Sequence, residues 1–368
     1  MNALEPGAQN RSPMTSIEPS TPSSPPSGPD PVALASELVR IPSVTGDEGA
    51  ICDHVARRLG EMGWTVRRQV VGDDGEGAGR TNLLATRADP IVVFSTHLDT
   101  VAPLLPVTED GEWLEGRGTA DAKGIAAVQI AAAERLAAEG EHRVGLLFVV
   151  GEEGPSDGSR AAATLEPKGC YLVNGEPTGN RLATGSKGSM RVILEAEGRA
   201  AHSAYPEEGD SAIERILDAL ERLRRLDLPD HPVLGEPTMN IGTIEGGTAP
   251  NIIPDRCRAR LMFRTVHEGN ELLEEVRSAV GPGIGLTVTL ALPPVHLSTR
   301  EGFESTVVKY TTDLPFLEPW GERFLLGPGS ILVAHTGHER VAKAELREGV
   351  DLYARLARTL LREHDELA

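Results

Sequence analysis

The chain has 368 residues, 39% of them hydrophobic and 4% aromatic, which is enough for two domains with cores built largely from Ala, Val and Leu. Fifty-five acidic residues against 36 basic ones give a net charge of −19, which argues against nucleic acid as a partner. No stretch approaches the ~18 consecutive apolar residues of a membrane span, and the three cysteines, Cys52, Cys170 and Cys257, have no paired spacing. A reduced, cytoplasmic protein is expected.

Residues 1–30 are rich in Pro and Ser and lack an apolar h-region, so a disordered leader is expected there, not a signal peptide. Three apolar runs then each end in candidate ligands. Ile91 to Thr96 runs into His97-Leu98-Asp99, Val144 to Val150 into Gly151-Glu152-Glu153, and Cys170 to Asn174 into Gly175-Glu176. Short, nearly continuous Val, Ile and Leu runs suit strands buried on both faces of a mostly parallel sheet. Ligands gather at the carboxyl ends of such strands. Between the first and second runs lies a Gly-rich loop, Gly116 to Gly124, that carries Asp121 and leads into an Ala-rich helix. The loop lacks both the Walker and the dinucleotide spacing, and Asp121 would repel phosphate.

From about Leu182 to Pro293 the pattern becomes strand, helix, strand, strand, helix, strand, the ferredoxin-like plan. Such an inserted unit, expected over 182–293, has a strand edge and a helix face suited to pairing with a copy of itself. The larger domain is then 31–181 plus 294–368, closing in a long amphipathic helix. The fold class expected is α/β: a doubly wound, mostly parallel catalytic domain with an inserted ferredoxin-like dimerisation or lid domain.

Imidazole nitrogens and carboxylate oxygens are the donors a zinc-like ion takes, and two such ions can share one carboxylate and activate a water. Asp121 is the natural bridge. Its bland alternative is as an N-cap for the helix starting near Lys123 or Gly124. Adjacent Glu152 and Glu153 cannot face the same way at a strand end, so one is expected to bind metal and the other to handle protons. In His97-x-Asp99 the carboxylate is expected to hold the imidazole's second nitrogen and fix its tautomer.

The motifs STHLDTV, GRGTADAKGI, GEEG, NGEPT, GRAAHS and GPGSILVAHTGHE, in that order, resemble the co-catalytic zinc metallohydrolase family of acetylornithine deacetylase, succinyl-diaminopimelate desuccinylase, aminoacylases and related carboxypeptidases. The resemblance implies that His97, Asp121 and Glu176 hold one metal and that Asp121, Glu153 and His335 hold the other. It implies Glu152 as general base and acid, and His202, often reaching across from a partner subunit, as the group that steadies the oxyanion. Asn251 and Arg264 match substrate-binding positions, Arg264 that of a carboxylate fork. Two divalent ions, Zn2+ with Co2+ or Mn2+ as alternatives, and a homodimer formed through the lid are implied as well. His338, three residues past His335, fits the motif spacing less well. Lys187 reads as a surface lysine or a substrate contact, and Gly327 to Ser330 as a backbone cradle for a carboxylate.

The activity so implied is hydrolysis of the amide bond of a small N-acyl amino acid, with acetylornithine deacetylation in arginine biosynthesis as the leading substrate reading. Desuccinylation of succinyl-diaminopimelate, release of lysine or ornithine from a carrier protein in lysine biosynthesis, and dipeptidase or carboxypeptidase action are alternatives. So is a metal-binding homologue without catalysis. Thr311-Thr312-Asp313 stands where the acetylornithine-type enzymes would read Gly-Thr-Glu, which loosens the substrate assignment.

Overall fold

The structure is a computed structural model that describes residues 28–72 and 79–368. Of the expected leader, residues 1–27 lie outside the described residues. Asp30, the last residue of the expected leader, accepts the Val32 N–H at 3.2 Å through its side chain and caps the helix Pro31–Val39, whose Pro at the first turn has no N–H to leave unsatisfied.

A six-stranded sheet forms the larger unit, in the order Thr65–Val70, Thr81–Thr86, Val144–Val149, Val92–His97, Tyr171–Asn174, Glu322–Leu325. The last four run parallel, and the first two add an antiparallel edge. Every residue of Val92–His97 and Val144–Val149 is buried, as a strand covered on both faces requires. Alternate residues of one strand feed different cores. Phe94 joins the cluster of Ile125, Leu346 and Tyr353, while Val93 joins that of Leu314, Leu317 and Trp320. Phe94 meets Tyr353 edge-on, with ring centroids 5.0 Å apart.

Helix Lys123–Ala138 explains its own composition. It packs between Pro31–Val39 and the final helix Lys343–Leu367, and its Ala residues let those backbones approach. This helix fixes where the loop carrying Asp121 begins.

The inserted unit has the expected order of elements. Its antiparallel sheet runs Thr238–Gly246, Arg256–Thr265, Gly188–Glu197, Ile284–Leu292, with helices Ala212–Arg224 and Glu271–Val280 against one face. Ser211 caps the first helix by accepting the Glu214 N–H at 3.3 Å. The strand Leu182–Ser186 sits outside this sheet, pairing instead with Val295–His296 and Ser305–Val308. We therefore propose that the inserted unit begins near Gly188, later than the expected boundary at 182. Among the described residues no helix is long and apolar enough to cross a membrane.

Candidate metal centre

Strand ends and one loop carry the acidic and imidazole groups. His97 closes Val92–His97; Glu152 and Glu153 follow Val144–Val149; Glu176 follows Tyr171–Asn174; Asp121 sits in the loop ahead of Lys123–Ala138. His335 comes from a loop after Glu322–Leu325 and has φ of 62°, a left-handed conformation uncommon outside Gly, Asn and Asp.

Donor atoms of His97, Asp121 and Glu176 lie within 4.8 Å of one another, as do those of Asp121, Glu153 and His335. Asp121 is common to both groups. One of its oxygens meets His97 Nε2 at 3.0 Å and the other meets His335 Nε2 at 3.3 Å, while His335 Nε2 lies 2.7 Å from Glu153 Oε1. Asp121 makes no helix cap: Ala122 holds that position without a side-chain hydrogen bond. The ring of His335, not of His338, enters the cluster.

Four carboxylates, Asp121, Glu152, Glu153 and Glu176, thus converge with only two imidazoles. Burial pushes Glu152 well above the usual carboxylate range, and the charge of Glu176 adds to it. Burial and Asp121 do the same to Glu176. Hydrogen bonds from its ring to the Asp121 and Glu153 carboxylates push His335 up to about 10. Burial opposes charging of His97, yet Asp121 and Asp99 outweigh it and hold the ring well above its ordinary value. Surplus negative charge that must hold protons when alone is what divalent cations neutralise, and the mixed nitrogen and oxygen donors fit zinc-like ions. The residues present fit two such ions.

Asp99 approaches the second nitrogen of His97 with both its carbonyl and its carboxylate. His97 Nδ1 donates to the backbone carbonyl of Asp99 at 3.0 Å, while the Asp99 carboxylate stands at 3.4 Å. That carboxylate accepts the backbone N–H of Glu152 and of Glu153, each at 3.0 Å, and the Thr45 hydroxyl at 2.8 Å. A single buried side chain therefore sets the tautomer of His97 through its own peptide and the position of the two glutamates through theirs. Glu153 meets His335, whereas the Glu152 carboxylate has no hydrogen bond among the described residues; both line a cavity of about 430 Å³.

The remaining expected residues are more dispersed. His202 is exposed, its Nδ1 accepting the Ala204 N–H at 3.1 Å, and among the described residues no hydrogen bond or ion pair joins it to the centre. Asn251 is exposed and accepts the Ser203 N–H through its carbonyl at 3.0 Å. Half-buried Arg264 donates to the Thr311 hydroxyl at 3.1 Å, and Thr311 lines the same cavity as Glu152. Lys187 is no surface lysine: it is buried, and its ammonium donates to the Glu236 carbonyl. Nor is Gly327 to Ser330 a free cradle, because the Gly327 and Gly329 N–H groups donate to Thr178 and Glu345.

Glu339 stands at the end of the last motif, with no role assigned to it by the sequence. Fully buried, its Oε1 accepts the N–H of Gly118 at 2.8 Å and those of Ala120 and Asp121 at 3.2 Å each, while Oε2 takes the guanidinium of buried Arg117. An anion under three backbone donors holds the loop from which Asp121 projects. Asp313 was noted only as a departure from the motif. It is a buried carboxyl whose Oδ1 accepts the Ser159 hydroxyl at 2.7 Å, and burial pushes it up to about 7. An acid lying beyond a candidate ligand was the one available signal for Glu339. For Asp313 there was none.

Comparison with known proteins agrees with this architecture. Residues 184–282 match the peptidase dimerisation domain, and residues 81–213 match peptidase family M28. The chain is 37% identical to a peptidase M20 domain-containing protein of Schizosaccharomyces pombe, over 92% of this chain and 86% of that one. It is 35% identical to a probable carboxypeptidase of Paracoccidioides brasiliensis, over 88% and 84% of the two chains. The fold matches a tripeptidase of Staphylococcus aureus with a TM-score of 0.76 at 20% identity, covering 90% and 98%. With the sequence motifs, the two-part fold and a long relative in agreement, the chain belongs to the M20 peptidase family, metallohydrolases that act on amide bonds.

Proposed function

We propose that this M20 enzyme is a carboxypeptidase or dipeptidase that hydrolyses the amide bond next to a free carboxylate in a short peptide or N-acyl amino acid. The observation that carries the reading is the pair of donor groups sharing Asp121, with the unpaired Glu152 carboxylate beside them facing a cavity. His97, Asp121 and Glu176 would hold one divalent cation and Asp121, Glu153 and His335 the other, most simply Zn2+, with Co2+ or Mn2+ suited to the same donors. Bound there, two such ions supply Lewis acidity toward water and the substrate carbonyl.

The chain's own residues do the rest. Glu152 takes a proton from the attacking water on a carboxylate oxygen and returns it to the departing nitrogen. Asp99 keeps Glu152 in place through the peptide N–H. Arg264 would bind the terminal carboxylate as a fork, with Asn251 near the scissile end, and His202 would steady the oxyanion. The exposed position of His202 fits a group completed by a second copy, and a homodimer through the inserted unit is part of this proposal. Deacetylation of acetylornithine breaks the same bond type with the same groups and is a narrower case; the names of the relatives favour peptides.

Amine release from dipeptides and N-acyl amino acids by Zn2+- or Co2+-loaded protein tests this, with Glu152→Gln alongside. Turnover that falls at least ~100-fold in the variant while metal stays bound is expected. Undiminished turnover in Glu152→Gln would remove Glu152 as the proton carrier. Two bound metals with no turnover of any substrate would make the chain a non-catalytic homologue.

A further inference from the structure

The cavity that Glu152 and Glu153 face is cationic on its other walls. Arg160 lines it from the short helix Asp157–Ala162, and Arg191 from the open face of the inserted sheet, together with Thr289 and Thr311. Thr311 in turn holds Arg264. In the register of Arg256–Thr265 against Gly188–Glu197, Arg191 lies opposite Met262 and Arg264 opposite Ser189. Arg191 and Arg264 are therefore diagonal neighbours on one face. Burial, and then the charge of Arg191, lower the proton affinity of Arg264.

The chain carries 55 acidic residues against 36 basic ones, and other arginines take carboxylate partners: Arg80 with Glu48 and Asp157, Arg117 with Glu339, Arg300 with Glu322 and Glu363, and Arg258 with Glu195 on the same inserted sheet. Among the described residues, no ion pair or side-chain hydrogen bond joins Arg160, Arg191 or Arg264 to any carboxylate. Arg160 instead stacks over Phe316, 3.9 Å from the ring centroid, which fixes the guanidinium without neutralising it. Like charges gathered around a cavity in an acidic protein are a cost unless an anion enters. Arg264 answers to the terminal carboxylate of the proposed reaction, and two forks remain.

We propose that Arg160 and Arg191 form a subsite for a second anionic group, so that the enzyme prefers acidic substrates. These are dipeptides or N-acyl amino acids carrying a side-chain or acyl carboxylate in addition to the terminal one. The inference rests on the reading of the centre as an amide hydrolase. Fork-shaped guanidiniums bind a carboxylate with two donors each, and they reject the isosteric amide, which brings no charge.

The test uses matched pairs on the metal-loaded enzyme: Asp-Ala against Asn-Ala, Ala-Glu against Ala-Gln, and N-succinyl-alanine against N-butyryl-alanine. The three pairs place the second carboxylate on the amino-terminal side chain, the carboxyl-terminal side chain or the acyl group. The expected result is a ratio of kcat/KM of roughly tenfold or more in favour of the acid in at least one pair, carried mainly by KM. That ratio should collapse toward one in Arg160→Met and in Arg191→Met. Arg258→Met, which removes an arginine already paired with Glu195, should leave the ratio where it was. Equal turnover of acid and amide in every pair would overturn the subsite and leave the hydrolase reading intact. Absence of turnover throughout would instead fail the hydrolase reading, and calorimetry then decides the subsite separately. Glutarate binding at least roughly tenfold tighter than butyrate, with the difference lost in Arg160→Met, supports it; equal binding refutes it.

Discussion

Replacing Glu339 by Ala isolates the device that aims Asp121. The substitution removes the acceptor of three backbone N–H groups, at 2.8, 3.2 and 3.2 Å, and strands the guanidinium of Arg117, which is 3% exposed. Arg117 keeps only the carbonyls of Pro103 and Thr336, at 3.3 and 3.2 Å. Breaking a buried pair on one side costs about 3–5 kcal/mol, because the surviving charge is left without a counterion. That is a large share of the ~5–15 kcal/mol by which a folded domain exceeds its unfolded state. Glu339→Gln keeps an oxygen for the three donors and loses the charge, so about 1–3 kcal/mol is expected from it. Urea unfolding of the metal-free protein measures both. In the double variant Glu339→Ala with Arg117→Met the stray charge is gone, and the loss should be smaller than the sum of the singles. Calorimetric metal titration should show affinity reduced ~10–100-fold in Glu339→Ala, since the loop presenting Asp121 loses its clamp. A loss below about 1 kcal/mol with unaltered metal affinity would refute the reasoning.

Two other consequences follow from the charges. With His335 pushed up to about 10 and His97 and Glu176 also raised, the metal-free centre holds protons that metal must displace, so affinity should rise with pH and binding should release at least about two protons. Titration in buffers of different ionisation enthalpy reads that number, and zero release would contradict it. Asp313 has its proton affinity raised to about 7 by burial, above its value in the unfolded chain, so the stability it contributes is present at low pH and is lost as pH rises through about 7. Asp313→Asn should therefore gain stability relative to the parent, in metal-free urea melts, at about pH 8 compared with about pH 5; an equal difference at both would count against it.

How much of this was legible before the fold was known can be argued residue by residue. The strands ending at His97, ahead of Glu152 and ahead of Glu176 were readable because burial on both faces forces continuous apolar runs, and those runs are local in the sequence. The six elements of the inserted unit were readable for the same reason, each being one period-2 or period-3.6 segment. The pairing of Leu182–Ser186 was not, because it has the composition of any strand and its partners, Val295–His296 and Ser305–Val308, are far away in the chain. Asp99 shows the limit at a single side chain. The sequence placed it beside His97, but that its carboxylate also receives the Glu152 and Glu153 peptides depends on where those peptides arrive.

The sequence by itself determined the kind of elements, the donor types and the family, since each depends on short segments whose chemistry is independent of the rest of the chain. Only the tertiary structure decided that Glu339 clamps the Asp121 loop, that Lys187 is buried, that Glu152 is the glutamate left unpaired, and that Arg160 and Arg191 share a cavity with it. Each of those facts depends on residues distant in sequence being brought together. Such pairings are set by packing and by the need to satisfy buried charge, which no local pattern encodes.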